Sequence, residues 1–370
     1  MARASGFIAP RRVSGFIARR RVSGFFVPRR VSGFFVRSRP SGPRARSRSR
    51  VGGLIARRLA IAIPLAVLVS LSVFALAAAS PFDPLDAYLG AHGDGFTEVQ
   101  RDQLRERLGM DRSWFGAWWS WVGGLVHGDF GESRSYRQPV ARVLAERLPW
   151  SLLLGALAGL LALVMAAVLG AWAGLRRGRL LDRVISATAI VLQSVPPFVL
   201  ALGGVLVFAS TLRWLPASGL TDAGAQVSAG STVRHLVLPV ILLAVTQLPW
   251  LVLGLRETVS RGLDGDAVKG ARARGLPWRV VAFRHVLPVS IAPFLALCGG
   301  RLPELVVGAT IIETVFSWPG LGAAVVDSAR ALDFPLLALL TLLITLVVLL
   351  GNLAADAAGV LIDPRIDADG

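Results

Sequence analysis

The sequence predicts an all-α membrane protein with six transmembrane helices. Composition points there first: 54% of the 370 residues are hydrophobic and the mean hydropathy is +0.61, beyond what a soluble domain usually carries. Several apolar runs exceed the roughly 18 residues that mark a spanning helix. They lack the polar stripe at a 3.6-residue period that a soluble helix needs for its wet face. Basic residues, finally, gather in alternate loops, the pattern that fixes orientation across a bilayer.

The chain opens on a basic tail. Residues 1–58 hold sixteen arginines and no acid, and so account for sixteen of the seventeen net positive charges. A nine-residue unit recurs there as SGFIAPRRV, SGFIARRRV, SGFFVPRRV and SGFFVRSRP, from Ser5, Ser14, Ser23 and Ser32. That period is shorter than the common solenoid repeats and contains proline, so residues 1–50 read as a disordered tail. Such a tail would suit anionic lipid or nucleic acid. The reading weighted above it is translation of repetitive DNA upstream of the true start, and no nucleic-acid partner is expected. The basic stretch is too long to be the head of a signal peptide.

The spans follow in order. The first covers Leu59–Ala79, within a segment bounded at 51–80. Residues 81–139 then form an external region, with acids and arginines nearly balanced. A core of residues 140–358 holds the other five spans, Leu148–Leu175, Val184–Ser210, Leu236–Leu255, Val289–Ile312 and Phe334–Ala357, before a tail of 359–370. Pro64, Pro196, Pro197, Pro239, Pro249, Pro293 and Pro303 fall inside these runs, which predicts kinked helices packed on one another. Four basic residues stand in Arg176–Arg183 and seven in Arg256–Pro288, against two in Thr211–His235 and one in Glu313–Asp333. This bias places both termini and Arg256–Pro288 in the cytoplasm. A single cysteine, Cys298, excludes an internal disulfide, and His92, His127, His235 and His285 show no metal-ligand spacing. No cofactor, metal or catalytic residue is expected.

The cytoplasmic stretch DAVKGARARGLPWRVVAFRHVLP, Asp266–Pro288, carries the only lysine of the chain. Asp266–Arg274 suits a short helix, with Asp264 or Asp266 near its start and Gly275 at its C′ position. Pro277 suits the first turn of a second helix, and Pro288 opens the next span. Gly270, Ala271, Ala273 and Gly275 leave little bulk between Lys269, Arg272 and Arg274, so another surface could approach closely. A docking helix and an ordinary positive-inside loop both fit this pattern.

The order of residues resembles the cytoplasmic signature of permease subunits of ATP-binding-cassette importers, in the dipeptide, oligopeptide and nickel branch. Ala271, Gly275, Leu287 and Pro288 match its general form, while Lys269, Gly270 and His285 depart from it. KGARARGL is similar to the relaxed form of that branch. PFDP, GDFGES, RQPVARVLAERLPWSL, SVPPF, WLPASG, ETVFSWPGLG and DPRI follow in the family's order across roughly residues 51 to 366. The resemblance implies a type I importer permease with six spans and a coupling helix that docks on an ATPase subunit. Ala267, Lys269, Gly270, Ala271, Arg274, Gly275, Leu287 and Pro288 would form the coupling segment, with Ala267, Gly270, Ala271, Arg274 and Gly275 as contacts. The implied partners are a second homologous permease, two ATPase subunits and an external solute-binding protein, around a bacterial inner membrane. The chain has no G-x-x-x-x-G-K-[ST] phosphate loop, so ATP hydrolysis is expected on a separate polypeptide.

Polar residues inside spans mark a candidate path: Gln193, Gln247, Arg301 and Glu304, with Asn352 and Asp356 assigned instead to helix packing or an inner gate. Arg301 and Glu304 lie on neighbouring faces if the helix continues across Pro303, either touching the charged ends of a peptide or pairing internally. The alternative function is a carrier driven by an ion or proton gradient. It would need buried midplane carboxylates and repeated halves. Glu304 is the one deep carboxylate expected, and no repeat is seen. A membrane-embedded enzyme is disfavoured by the absence of H-E-x-x-H, paired aspartates or a Ser/His pairing within the spans.

Overall fold

The structure is a computed structural model that describes residues 43–89, 95–107, 113–222 and 224–362. Most of the arginine tail and the Asp363–Ile366 motif lie outside these residues. Five helices are long and apolar enough to cross a membrane, and a bent pair makes up to six. The first, α1 (Pro43–Ala78), starts before the expected boundary at residue 51, and its spanning part is Ala60–Ala78. Three short helices follow, α2 (Pro84–Leu89), α3 (Glu98–Arg107) and α4 (Trp114–Val126), then a two-residue hairpin of β1 (Glu132–Ser133) and β2 (Gln138–Pro139).

The centre is the pair α5 (Val140–Leu175) and α8 (Ala229–Leu263). At 1.5 Å per residue, α5 is about 54 Å long and outreaches a hydrocarbon core of about 30 Å. Leu154, Ala158, Ala162, Ala166, Gly170 and Gly174 are buried on it, one every four residues. Such a stripe of small side chains lets two backbones approach closely in a membrane. A Cβ built on Gly174 would lie 2.7 Å from the Cβ of Val259, and one on Gly170 would lie 2.9 Å from Leu255 Cβ and from the Val252 carbonyl oxygen.

Prolines act in three ways. Pro64, Pro149, Pro239, Pro249 and Pro293 sit inside continuous helices. Pro196 and Pro197 instead break the expected third span into α6 (Leu180–Gln193) and a second arm, Pro197–Thr211, whose first part is α7 (Pro197–Gly204), bent by 99°. Pro196 has ψ 144°, because a residue before proline is driven out of the helical region. The third case corrects the expected fifth span, Val289–Ile312. Helix already runs from Trp278 to Gly300, through α10 (Trp278–Val281), a π turn at Ala282–Val286 and α11 (Leu287–Gly300). Pro288 therefore lies within this helix rather than opening it. Its ring cannot donate to the carbonyl four residues back and would clash with it; widening the preceding turn relieves both problems. The helix ends at Arg301 (φ −96°, ψ 0°), and α12 (Leu302–Val315) starts with Pro303 in its first turn. The structure completes itself with α13 (Leu321–Arg330) and α14 (Phe334–Ile362).

α14 packs along α1, where Asp356 pairs with Arg58. Asn352 Oδ1 is buried with no hydrogen-bond partner among the described residues. On α4, Trp118 is buried against Phe74 and Ala338, and its indole N–H donates to Ser70 at 3.1 Å.

Candidate functional site

The basic stretch folds as expected into a short helix, α9 (Asp266–Ala273). Asp266 opens it and pairs with Lys269 at 3.0 Å, while Asp264 caps the preceding α8 and accepts from Arg177 at 2.9 Å. Gly275 has φ +75°. Its N–H donates to the Arg272 carbonyl at 2.9 Å, and that of Leu276 to the Ala271 carbonyl at 3.2 Å. These two bonds make a Schellman ending, which needs a left-handed residue at Gly275. Pro277 caps α10 from just outside its first turn.

Val268 and Ala271 are buried, and α9 rests through this face on the π turn Ala282–Val286. Ala271, expected as a contact, therefore faces inward with no exposed surface and holds the helix to its own chain. Ala267, Lys269, Arg274 and Gly275 are exposed, and Gly270 is half-buried. A Cβ at Gly270 would meet only the Arg274 guanidinium, at 3.5 Å, and one at Gly275 nothing within 4 Å. The outer face of α9 is thus low and unobstructed, with a cation at either side. Leu287 is half-buried and Pro288 exposed, both in the long helix behind.

An ion pair ties the first turn of α6 to α8, the helix that leads into α9. Asp182, the sole acid of the Arg176–Arg183 loop, is 2% exposed and accepts from the Arg256 guanidinium on α8, with one contact at 2.9 Å. The Gly178 N–H donates to the same carboxylate at 2.8 Å. The loop, read from sequence only as a block of positive charge, is tied to the helix that carries α9.

The four polar span residues come together. Gln193, Gln247, Arg301 and Glu304 line one cavity of 390 Å³, beside Trp250 and Pro197. It lies where the bend after Gln193 meets the break at Arg301. The interrupted backbone accommodates the pair: Arg301 Nη1 donates to Glu304 Oε1 at 2.9 Å. The Arg301 guanidinium lies over the Trp250 ring at 4.7 Å, and its Nε is buried with no partner among the described residues. Gln247 Nε2 donates to Thr246 Oγ1 at 3.1 Å.

Glu304, expected as the deep carboxylate, is not buried: its side chain is 46% exposed, in the cavity. Among the described residues the buried acids besides Asp182 are Glu313 and Asp333, which the sequence places in an external loop. Glu313 accepts from Ser151 Oγ at 2.6 Å and from the N–H groups of Gly322 and Ala323 at 2.7 and 3.1 Å. It thereby caps α13 from the end of α12 and closes ETVFSWPGLG into a rigid turn, with Trp318 fully buried at its tip. Asp333 accepts from Ser133 and Ser135 hydroxyls at 2.7 and 2.9 Å, tying the hairpin to the start of α14. Next to it Tyr136 donates to Asp327 at 2.8 Å; burial and that bond push the phenol above its ordinary range. The only hint of these ties in sequence was the motif order, because the serine partners of Glu313 and Asp333 lie far along the chain.

The chain is similar in sequence to known proteins. A family model described as "binding-protein-dependent transport system inner membrane component" matches residues 166–368. The chain is 32% identical over 330 residues to the di/tripeptide transport system permease protein DppB of Pseudomonas aeruginosa (strain UCBPP-PA14), covering 84% of this chain and 98% of the relative. It is 29% identical over 314 residues to the oligopeptide transport system permease protein AppB of Bacillus subtilis (strain 168), covering 85% and 98%.

Proposed function

The chain belongs to the family of binding-protein-dependent transport system inner membrane components, and from that premise we propose that it forms half of the translocation path of an ATP-driven peptide importer. The observation that carries the reading is α9: a helix fixed to its own chain by Val268 and Ala271 and bare on its outer face at Ala267, Gly270 and Gly275. A gradient-driven carrier, the alternative weighed from sequence, is set aside by the family.

In this reading α9 seats in a cleft of an ATPase subunit, with Lys269 and Arg274 at its sides. A second homologous permease and a second ATPase complete the inner assembly, in a bacterial inner membrane with both termini inside. The tail of residues 1–50 and the last residues, 359–370, lie in the cytoplasm. The external region 81–139 and the turn closed by Glu313 receive the solute-binding protein, which delivers a peptide to the core of residues 140–358. The names of the relatives DppB and AppB support a peptide as cargo.

The mechanism follows from what is rigid and what is bent. Closure of two ATPase subunits on ATP draws two coupling helices together. Buried packing of α9 on the π turn passes that displacement to the Trp278–Gly300 span. The Asp182–Arg256 pair moves α6 with α8. Rotation of these elements about the breaks at Pro196–Pro197 and Arg301 would open the cavity alternately to the two sides. Leu287 and Pro288 contribute by setting the π turn on which α9 rests, and Gln193, Gln247, Arg301 and Glu304 line the path.

Gly270→Trp in the co-expressed transporter tests this. On its own chain a Cβ here would touch only the far end of the flexible Arg274 side chain, at 3.5 Å, so the permease is expected at normal amounts in the membrane, while ATPase subunits no longer co-purify and uptake falls at least about tenfold, the loss expected from blocking a packed contact. Normal co-purification and uptake with tryptophan at this position contradict docking through α9.

A further inference from the structure

Resting on the reading above that this chain lines a peptide path, we propose that the cavity at the two helix breaks is a subsite for the two ends of a short zwitterionic peptide, the Arg301 guanidinium taking its carboxylate and the Glu304 carboxylate its ammonium.

The charged pair is poorly explained as a structural device. Ion pairs with water access contribute little to stability, and a desolvated pair is favourable only when its remaining donors and lone pairs are satisfied. Here they are not. A guanidinium has five N–H donors; of those of Arg301, Nη1 meets Glu304 and Nε is buried without a partner among the described residues. Glu304 stays half open to the cavity. The stacking of Arg301 on Trp250 orients the guanidinium plane. An Arg–Glu contact with unused capacity on both partners can accept a carboxylate and an ammonium side by side, giving four alternating charges. Because Arg301 and Glu304 together are neutral, a ligand with one charged end would give the site a net charge, so the site favours a ligand that is itself neutral overall.

Size and lining agree. The cavity holds 390 Å³, within the range of about 300–1,000 Å³ usual for small-molecule sites. The carboxamides of Gln193 and Gln247 supply donors and acceptors suited to a peptide bond between the two ends. The start of α7 at Pro197 also borders the space, and a helix N-terminus favours negative charge.

The test is uptake of radiolabelled dialanine and trialanine by the complete transporter in proteoliposomes, divided by the amount of assembled complex. Arg301→Gln and Glu304→Gln should each assemble yet lower uptake about tenfold or more, the loss expected for one charged hydrogen-bonded contact, and Arg301→Lys should retain part of it. The double exchange Arg301→Glu with Glu304→Arg restores an internal pair but reverses its polarity; it should assemble and remain impaired. Wild-type uptake from the double exchange overturns the proposal, as does unchanged uptake per assembled complex in Arg301→Gln. A wild-type transporter with peptide-independent ATPase activity and no peptide uptake overturns the peptide subsite alone, whereas failure to assemble with any ATPase overturns the family mechanism on which it rests.

Discussion

Asp182 and Arg256 show how much a single pair of side chains can decide. The carboxylate is 2% exposed and also holds the Gly178 amide, whereas the Arg256 side chain is 28% exposed, so removing Arg256 would leave a buried carboxylate without its cation. Losing a hydrogen bond between charged groups of this kind costs about 1.5–3 kcal/mol. Asp182→Asn should therefore lower the thermal midpoint of the purified protein in detergent and reduce ATPase co-purification, and exchanging the two residues should recover part of both losses. Equal stability of Asp182→Asn and wild type would show that the pair is not a tie. Sequence reading found Arg301 and Glu304, because charge inside an apolar run stands out, and these two residues do meet in one cavity. It passed over Asp182, whose partner lies 74 residues away. It likewise passed over Glu313 as an anchor, since three of its donors are a serine 162 residues earlier and two backbone amides. A hydrogen-bond tie across such separations leaves no local pattern.

At the scale of elements, the close approach of α5 and α8 rests on small residues spaced by four. Gly174→Val or Gly170→Leu would drive a side chain into Val259 or Leu255 and the α8 backbone. Such overpacking costs about 1–3 kcal/mol. Both variants should melt earlier in detergent than Gly155→Leu, a control on the same helix where a Cβ meets nothing within 4 Å; equal melting of all three would remove the stripe as the basis of the pairing. Spans were legible from apolar length alone, and the short helix with its Gly275 ending from residue types with special backbone needs. What each proline does was not. A lone proline such as Pro239 or Pro249 stays inside α8, whereas adjacent Pro196 and Pro197 force an extended residue between two helices. Pro303 comes just after Gly299 and Gly300, where the chain breaks at Arg301. Pro288 is absorbed by a widened turn, and that turn is the seat of α9. The choice among these outcomes depends on neighbouring helices, which no window of sequence contains.

For the molecule as a whole, the proposed mechanism treats the parts as a lever: the α9 knuckle at one end, the Asp182–Arg256 pair and a packed turn behind it, two breaks in the spans, and the cavity lined by Arg301 and Glu304. At the other ends of the spans Glu313 and Asp333 tie α13 and the hairpin in place. Cross-linking from α9 decides whether force enters where this arrangement requires. Cys298, the sole cysteine, is replaced by serine, and cysteine is placed at exposed Ala267 or, as a control, at Val268, 2% exposed. With a short bis-maleimide on the co-expressed transporter, Ala267→Cys should join the permease to an ATPase subunit, in a yield that changes on adding ATP, and Val268→Cys should not. An Ala267→Cys protein that reacts freely with a soluble maleimide yet never joins an ATPase, with or without nucleotide, would contradict the mechanism.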